Sequence, residues 1–218
     1  MRFENFYEKY NENALIQERV AQTLLNLIKE NSNCDKVLEL GCGTGLFTKK
    51  IFKNIPYKIL DLNDIYDTKK YFSENDYRKY IIGDMENIDL DSYSLIVSSS
   101  CFQWAKDLKL FLNKLSKSTD ELAFSIYVDG NLKEIKEHFN ISLNYFTTLE
   151  IQEELCKIYS KVHFSEEEFN LEFESPYLAL KHLKYTGVTG IGKAKISEIK
   201  SFKSNFLTYK VAYYKCTK

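Results

Sequence analysis

Between Lys36 and Val128, short apolar runs of β type alternate with stretches of helical spacing. "KVLELG", "YKILDL", "KYIIGD", "YSLIVSSS" and "ELAFSIYV" read as strands. "LFTKKIFK", the stretch near "IYDTKKYF" and "KDLKLFLNKLSK" read as helices between them. Strands that are apolar throughout are buried on both faces, and a parallel neighbour can be reached only by a crossover, usually helical. Right-handed crossovers place those helices on both sides of one sheet. After Gly130 the rhythm changes. "NLKEIKEHF", "LEIQEELCKIYS" and "YLALKHLKYTGV" look helical, whereas "EEFNLEFES" and "FLTYKVAYYKC" alternate as half-buried strands do. The expected fold is therefore α/β: a doubly wound, Rossmann-like sheet of seven strands, mostly parallel, with an antiparallel last strand and helices on both faces. Ahead of it, Ala14 to Lys29 places Leu15, Val20, Leu24, Leu27 and Ile28 at helical spacing.

Composition narrows the classes. The chain has 218 residues, 44% hydrophobic and 28% charged, enough for one substantial core. No apolar stretch approaches the roughly 18–20 residues needed to span a membrane, and the first twenty residues lack the apolar segment of a secretory signal. A cytoplasmic protein is expected. Cys34, Cys42, Cys101, Cys156 and Cys216 are five in number and never form a C-x-x-C pair, which argues against a disulfide framework and a zinc site. The three histidines are equally scattered, so no metal centre is expected. A net charge of −1 gives no general attraction to nucleic acid. From Lys181 onward, however, lysines outnumber a single acid, Glu198.

Of the 8 glycines in the chain, three fall within "GCGTG", directly after the first strand. In an open α/β sheet the ligand sits at the carboxyl ends of the strands, where strand order reverses. Gly41, Gly43 and Gly45 form G-x-G-x-G, one residue shorter than the spacing that suits a pyrophosphate. With Glu39 before the first glycine, this suits a ligand lacking that group. Asp61 closes "YKILD", twenty positions after Gly41, where a carboxylate can accept from both hydroxyls of a ribose. In "GDMEN", Asp84 can accept from an adenine amino group while Met85 and Leu62 flank the ring. Acids at successive strand ends, in one register with the glycine loop, look like the nucleoside grip of class I S-adenosylmethionine methyltransferases.

"SSSCFQWAKDL", after the fourth strand, resembles the S-N-x-x-x-Q-W segment of the malonyl-acyl-carrier-protein O-methyltransferases of biotin synthesis. "LDLND", "GDMENIDL", "VDGNLKEI", "LKYTGVTG" and "FLTYKVAYY" follow in that family's order, and "YEKYNENALIQERVAQTLL" is similar to its opening helix. Two departures stand out: "KSTDELAFS" lacks a Pro-Gly-Gly turn, and "SSSC" replaces Ser-Asn. The resemblance implies transfer of a methyl group from S-adenosylmethionine to the free carboxylate of a malonyl thioester, carried by acyl carrier protein or coenzyme A, leaving S-adenosylhomocysteine. It implies cofactor contacts from Tyr10, Gln17, Glu39, Gly41, Cys42, Gly43, Gly45, Asp61, Leu62, Asp84, Met85, Ser98 and Ser99. No obligatory general base is expected, because a malonyl carboxyl is already ionised near neutrality. Tyr10, Arg19, Trp104, His182, Lys184 and Tyr209 are the candidates for positioning the acceptor, with Phe102 beside Trp104. The basic stretch from Lys193 to Lys203 is a candidate dock for an acidic carrier protein. One domain over 1–218 is expected, with a helical cap (1–30), a cofactor-binding core (36–130) and substrate-side helices with closing strands (131–218). The alternatives are another small-molecule methyltransferase, acting on a free polycarboxylate or a quinone precursor, and a non-catalytic cofactor-binding protein. A nicotinamide dehydrogenase comes last on glycine spacing.

Overall fold

The computed structural model describes residues 14–29, 34–186 and 194–218. Seven strands form one sheet in the order β3-β2-β1-β4-β5-β7-β6. They are β1 (Lys36–Leu40), β2 (Ile59–Asp64), β3 (Lys79–Ile82), β4 (Leu95–Ser99), β5 (Glu121–Tyr127), β6 (Lys161–Glu172) and β7 (Phe206–Thr217). The first five pair in parallel, and β7 runs antiparallel to both β5 and β6. The expected doubly wound sheet is the observed one.

Side chains of a strand alternate between faces, and this divides the core in two. Val37, Leu60, Leu62, Leu95, Val97 and Tyr127 belong to one cluster, completed by Val20, Ala21, Leu24 and Ile28 of α1 (Leu15–Lys29). Leu38, Leu40, Ile96, Leu122, Phe124 and Ile126 face the other way. They pack with Leu112 and Leu115 of α3 (Leu108–Ser116) and with Ile151 and Leu155 of α5 (Thr148–Ile158). Between them in sequence, α2 (Thr48–Asn54) follows the glycine loop and α4 (Lys133–Phe139) follows β5. Side chains cap helix starts on this face: Asp107 accepts from the Leu110 amide at 2.9 Å, and Thr147 with Glu150 forms a capping box on α5. Helices α6 (Pro176–Thr186) and α7 (Ile196–Ser201) lie between β6 and β7 in the chain.

Three local expectations differ. The stretch near "IYDTKKYF" makes only a 3-10 turn at Lys69–Tyr71, because Asp67 and Thr68 engage local backbone and the Tyr80 hydroxyl instead of a helix. Strand β6 starts six residues before the expected "EEFNLEFES", since its whole length pairs with β7 from Lys161↔Thr217 to Glu172↔Phe206. The short α7, not expected from the sequence, carries only six residues and exposes Ile196 and Ile199, so it shows no buried periodic face. No helix among the described residues is long and apolar enough to cross a membrane.

Candidate active site

Strand order reverses between β1 and β4, and the carboxyl ends of β1 to β4 open there onto a cavity of about 480 Å³. The turn after β1 supplies its floor. Gly41, Gly43 and Gly45 have φ of +72°, +53° and +79°, in the left-handed region that glycine adopts without strain. At Gly41 a Cβ would stand 2.7 Å from the Cys101 Cβ, so the loop after β4 could not close against it. The Gly41 and Cys42 amides both donate to the Asn63 carbonyl, 2.9 Å each, which ties the glycine turn to the end of β2. Asn63 in turn donates its side-chain amide to the Ile81 and Gly83 carbonyls, joining β2 to the end of β3.

The acid at the cavity from β2 is Asp64, not Asp61. Its Oδ2 accepts from the Gly43 amide at 2.8 Å and its Oδ1 from the Tyr66 amide at 3.0 Å. Burial pushes its carboxyl above the usual range, against the pull of the Tyr66, Gly43 and Ile65 amides. Asp61 is fully buried within the strand, where it takes the Arg78 guanidinium and the Tyr93 hydroxyl. Leu62 is likewise buried in the core, and Ile65 stands at the cavity in its place. The expectation ended β2 at Leu62. Pairing with β1 carries the strand to Asn63 and pairing with β3 to Asp64, which moves the acid–aliphatic pair three residues along. The repeat Asp61-Leu62 and Asp64-Ile65 hid this, and the Asn63-Asp64 turn signal was the available clue.

Beyond β3, Asp84 lines the cavity and accepts from the Glu86 amide at 3.0 Å, with the Lys106 ammonium 3.9 Å from its other oxygen. The Glu86 carboxylate receives the Lys106 and Asp107 amides at 2.9 and 3.0 Å, clipping the loop after β3 to the loop after β4. Met85 lines the cavity, its sulfur 3.7 Å from the Cys101 thiol. Burial pushes that thiol up to about 12, so it stays protonated. Ser99, Ser100 and Trp104 complete this wall, and Trp104 remains 40% exposed at the mouth. Ser98 instead points into the sheet and donates to the Leu40 carbonyl at 2.9 Å.

Glu39 and Gln17 line the far wall. Both are buried, and Glu39 Oε2, Gln17 Oε1 and Ser100 Oγ have no hydrogen-bond partner. Burial raises the Glu39 carboxyl to about 8, with the nearby Asp64 adding to the effect and Thr48 opposing it. Unpartnered buried oxygens are rare in folded proteins, and three of them converge on this one cavity.

Of the thirteen expected cofactor contacts, Gln17, Glu39, Gly41, Cys42, Gly43, Asp84, Met85 and Ser99 line this cavity. Asp61, Leu62 and Ser98 do not, for the reasons given. Gly45 does not either: a Cβ there would meet the Phe72 ring at 2.7 Å, and its carbonyl accepts the Lys49 amide as α2 begins. Tyr10 lies outside the described residues. Thr44, Leu46, Phe47, Asn63, Asp64, Ile65, Tyr66, Ser100, Cys101 and Lys106 line it without having been singled out.

Among the acceptor-positioning candidates that lie in the described residues, only Trp104 borders the cavity; Tyr10 lies outside them. Phe102 is fully buried in the core against Phe111 and Phe124. The Arg19 guanidinium stacks 4.6 Å from the Phe169 ring centre, and Lys184 is exposed on α6. His182 of α6 bonds the hydroxyl of Tyr209 of β7 at 2.9 Å, both buried. Burial lowers the His182 pKa to about 4, so near neutrality the ring is an uncharged hydrogen-bonding group. Linkage follows from the sign of that shift. The stabilising contribution is complete above the unfolded value of about 6.5 and is lost as pH falls through about 4, because the unfolded chain binds a proton that the folded one refuses. Proton NMR is expected to show the His182 ring still neutral at about pH 5, with the urea midpoint falling over the same window. A ring titrating near its ordinary value would contradict this burial.

Comparisons with known proteins bear on what this cavity serves. Residues 38–121 match the family described as "Methyltransferase domain". The YcgJ protein from Bacillus subtilis superposes with a TM-score of 0.64 at 10% identity, covering 90% of this chain and 98% of that one. A phosphoethanolamine N-methyltransferase 2 of Haemonchus contortus, solved with S-adenosylhomocysteine, gives 0.61 at 12% identity over 91% of this chain and 52% of that one. At such identities the likeness is one of fold. The sequence relatives are nearer. The malonyl-acyl-carrier-protein O-methyltransferase of Calditerrivibrio nitroreducens is 40% identical over 85% of this chain and 77% of its own length. The Bacteroides thetaiotaomicron and Acinetobacter baylyi proteins of that name are 32% and 31% identical, each over 87% of this chain and 77% of theirs. The chain belongs to the malonyl-acyl-carrier-protein O-methyltransferase family, which is what the resemblance of its motifs implied.

Proposed function

We propose that this protein transfers a methyl group from S-adenosylmethionine to the free carboxylate of a malonyl thioester, carried by acyl carrier protein, in the biotin (pimeloyl) route. The observation that carries the reading is the cavity at the switch point, whose walls suit each part of that cofactor. Asp64 retains acceptor capacity for a ribose diol, and Asp84 can accept from an adenine amino group between Met85 and Ile65. The unpartnered oxygens of Glu39 and Gln17 suit an ammonium group. The cofactor supplies an electrophilic methyl on a sulfonium. What remains for the chain is to hold a carboxylate oxygen in line with it and to exclude water. A malonyl carboxylate needs no proton removed, so the cavity requires no general base. The raised thiols of Cys42 and Cys101 suit walls rather than nucleophiles. Trp104, at the mouth, is proposed to shield the transfer, its ring face favouring the cationic sulfur.

The carrier is proposed to dock on the exposed lysines Lys195, Lys200 and Lys203. Lys210, Lys215 and Lys218 are engaged with Glu166, Glu121 and Asp120, which leaves them a poorer match to an acidic partner. Lys193 lies outside the described residues. The test is a mass assay with S-adenosylmethionine and malonyl carrier protein, malonyl-CoA or trans-aconitate as acceptor. A gain of one methyl on the malonyl thioesters and none on trans-aconitate is expected. Charge reversal of the three lysines is expected to raise KM for the carrier-linked acceptor several-fold and to leave malonyl-CoA turnover unchanged. Methylation of trans-aconitate alone would overturn the substrate, and an unchanged KM would overturn the docking face.

A further inference from the structure

Glu39 is the most enclosed ionisable group at the cavity. It is 1% exposed at the rim of β1, and its Oε2 accepts no hydrogen bond. The groups around it offer an anion little support. From α1 comes Gln17, whose own oxygen Oε1 is also unpartnered; from α2 comes Thr48. From the end of β2 comes a second carboxylate, Asp64, and from the loops after β1 and β4 the uncharged thiols of Cys42 and Cys101. The charged residues of α1 near this end are occupied elsewhere: Glu18 pairs with Lys50, and Arg19 lies over Phe169. Lys106, the one basic residue of the wall among the described residues, stands near Asp84. A carboxylate with one oxygen unpartnered, only the Thr48 hydroxyl to favour the anion and no counter-ion costs more than its neutral acid in such surroundings.

We infer that Glu39 is a protonated acid in the ligand-free protein and ionises only when the cofactor's ammonium group arrives, so that binding expels a proton. This rests on the reading of the cavity as a cofactor site and adds to it a coupling between pH and affinity. The balance is simple. The Glu39 O–H bond breaks, its proton goes to buffer, and the carboxylate left behind faces an ammonium that keeps all its own protons. With Glu39 held up to about 8, affinity rises with pH below that value, towards tenfold per unit, until the ligand's own α-ammonium begins to lose its proton. The converse also holds: at fixed pH, the free protein reprotonates Glu39 as product leaves.

Calorimetry of the full chain with S-adenosylhomocysteine, run at about pH 7 in phosphate and in Tris, separates the proton from the binding heat. Close to one proton released per ligand is expected, with a matching rise in affinity between about pH 6 and 7.5. The Glu39→Gln variant is expected to bind more weakly and to release none. Binding with heat independent of buffer and affinity independent of pH overturns the inference while leaving the cofactor site in place. Proton release undiminished in Glu39→Gln also overturns it, since the proton then comes from another group. No heat at all in the wild-type protein removes the cofactor reading itself. Should Glu39→Gln fail to fold, Glu39→Ala takes its place, and buffer-independent heat with pH-independent affinity in the wild type still overturns the inference.

Discussion

An Asp64→Ala protein is expected to bind S-adenosylhomocysteine about 10- to 150-fold more weakly than the wild type, with its thermal midpoint nearly unchanged. The carboxylate sits at the end of β2 with one oxygen on the Gly43 amide and the other on the Tyr66 amide. These contacts, with a third from the Ile65 amide, hold it at the cavity and leave part of its acceptor capacity for a ligand. Loss of a charged hydrogen bond costs roughly 1.5–3 kcal/mol, which sets the range. Stability is expected to move little because two effects oppose. Removing the side chain leaves the Gly43 and Tyr66 amides without that acceptor, but it also removes a carboxyl that burial disfavours as an anion. Asp64→Asn, which keeps one acceptor oxygen, is expected to fall between wild type and Asp64→Ala in affinity. Isothermal titration on both variants checks the ordering, and equal affinity in all three proteins would remove Asp64 from the ribose site.

What the sequence made legible here follows from which signals are local. Four of the parallel strands, β1, β2, β4 and β5, could be read because both faces of each are buried, so their apolar runs stand out against charged crossovers, whereas β3 at the sheet edge is partly exposed. The glycine turn was legible because its backbone needs positive φ and close approach, which only a few residue types satisfy. Asp84 and Met85 were found because β3 is short and its end unambiguous. Asp64 was missed because two acid–aliphatic pairs lie three residues apart, and only inter-strand register says which reaches the rim. Register is a tertiary property, set by the pairing of Leu40 with Asn63 rather than by either strand alone. Ser98 failed for a related reason: strand alternation sends it into the sheet to the Leu40 carbonyl, while Ser99 faces the cavity. His182 and Tyr209 carry chemistry-bearing groups, yet they satisfy one another in the core, and nothing in their spacing announces that.

Asp61→Ala is expected to do the reverse of Asp64→Ala: to lower stability by roughly 2–4 kcal/mol while cofactor affinity in the folded fraction stays within about twofold. The side chain is fully buried in β2 opposite Leu38 and Lys79. It accepts the Arg78 Nε at 2.9 Å, the Arg78 Nη2 and the Tyr93 hydroxyl at 2.9 Å. Arg78 and Lys36 both reach Asp91, at 3.3 and 3.7 Å, and Lys36 also lies over the Tyr93 ring. Removing Asp61 leaves the buried Tyr93 hydroxyl without its acceptor and the β2–β3 junction without its fork-shaped clamp. The Arg78 side chain is 43% exposed and can turn to water and Asp91, so the loss stays below that of a fully enclosed pair. For a chain of this size, a melting midpoint lower by roughly 5–12 °C is expected. Asp61→Asn, which keeps one acceptor for Tyr93, is expected to lose less. Urea and thermal unfolding measure the stability, and titration of the folded variant measures affinity. A normal midpoint with cofactor affinity reduced as far as in Asp64→Ala would return the ribose to Asp61 and displace the register described for β2.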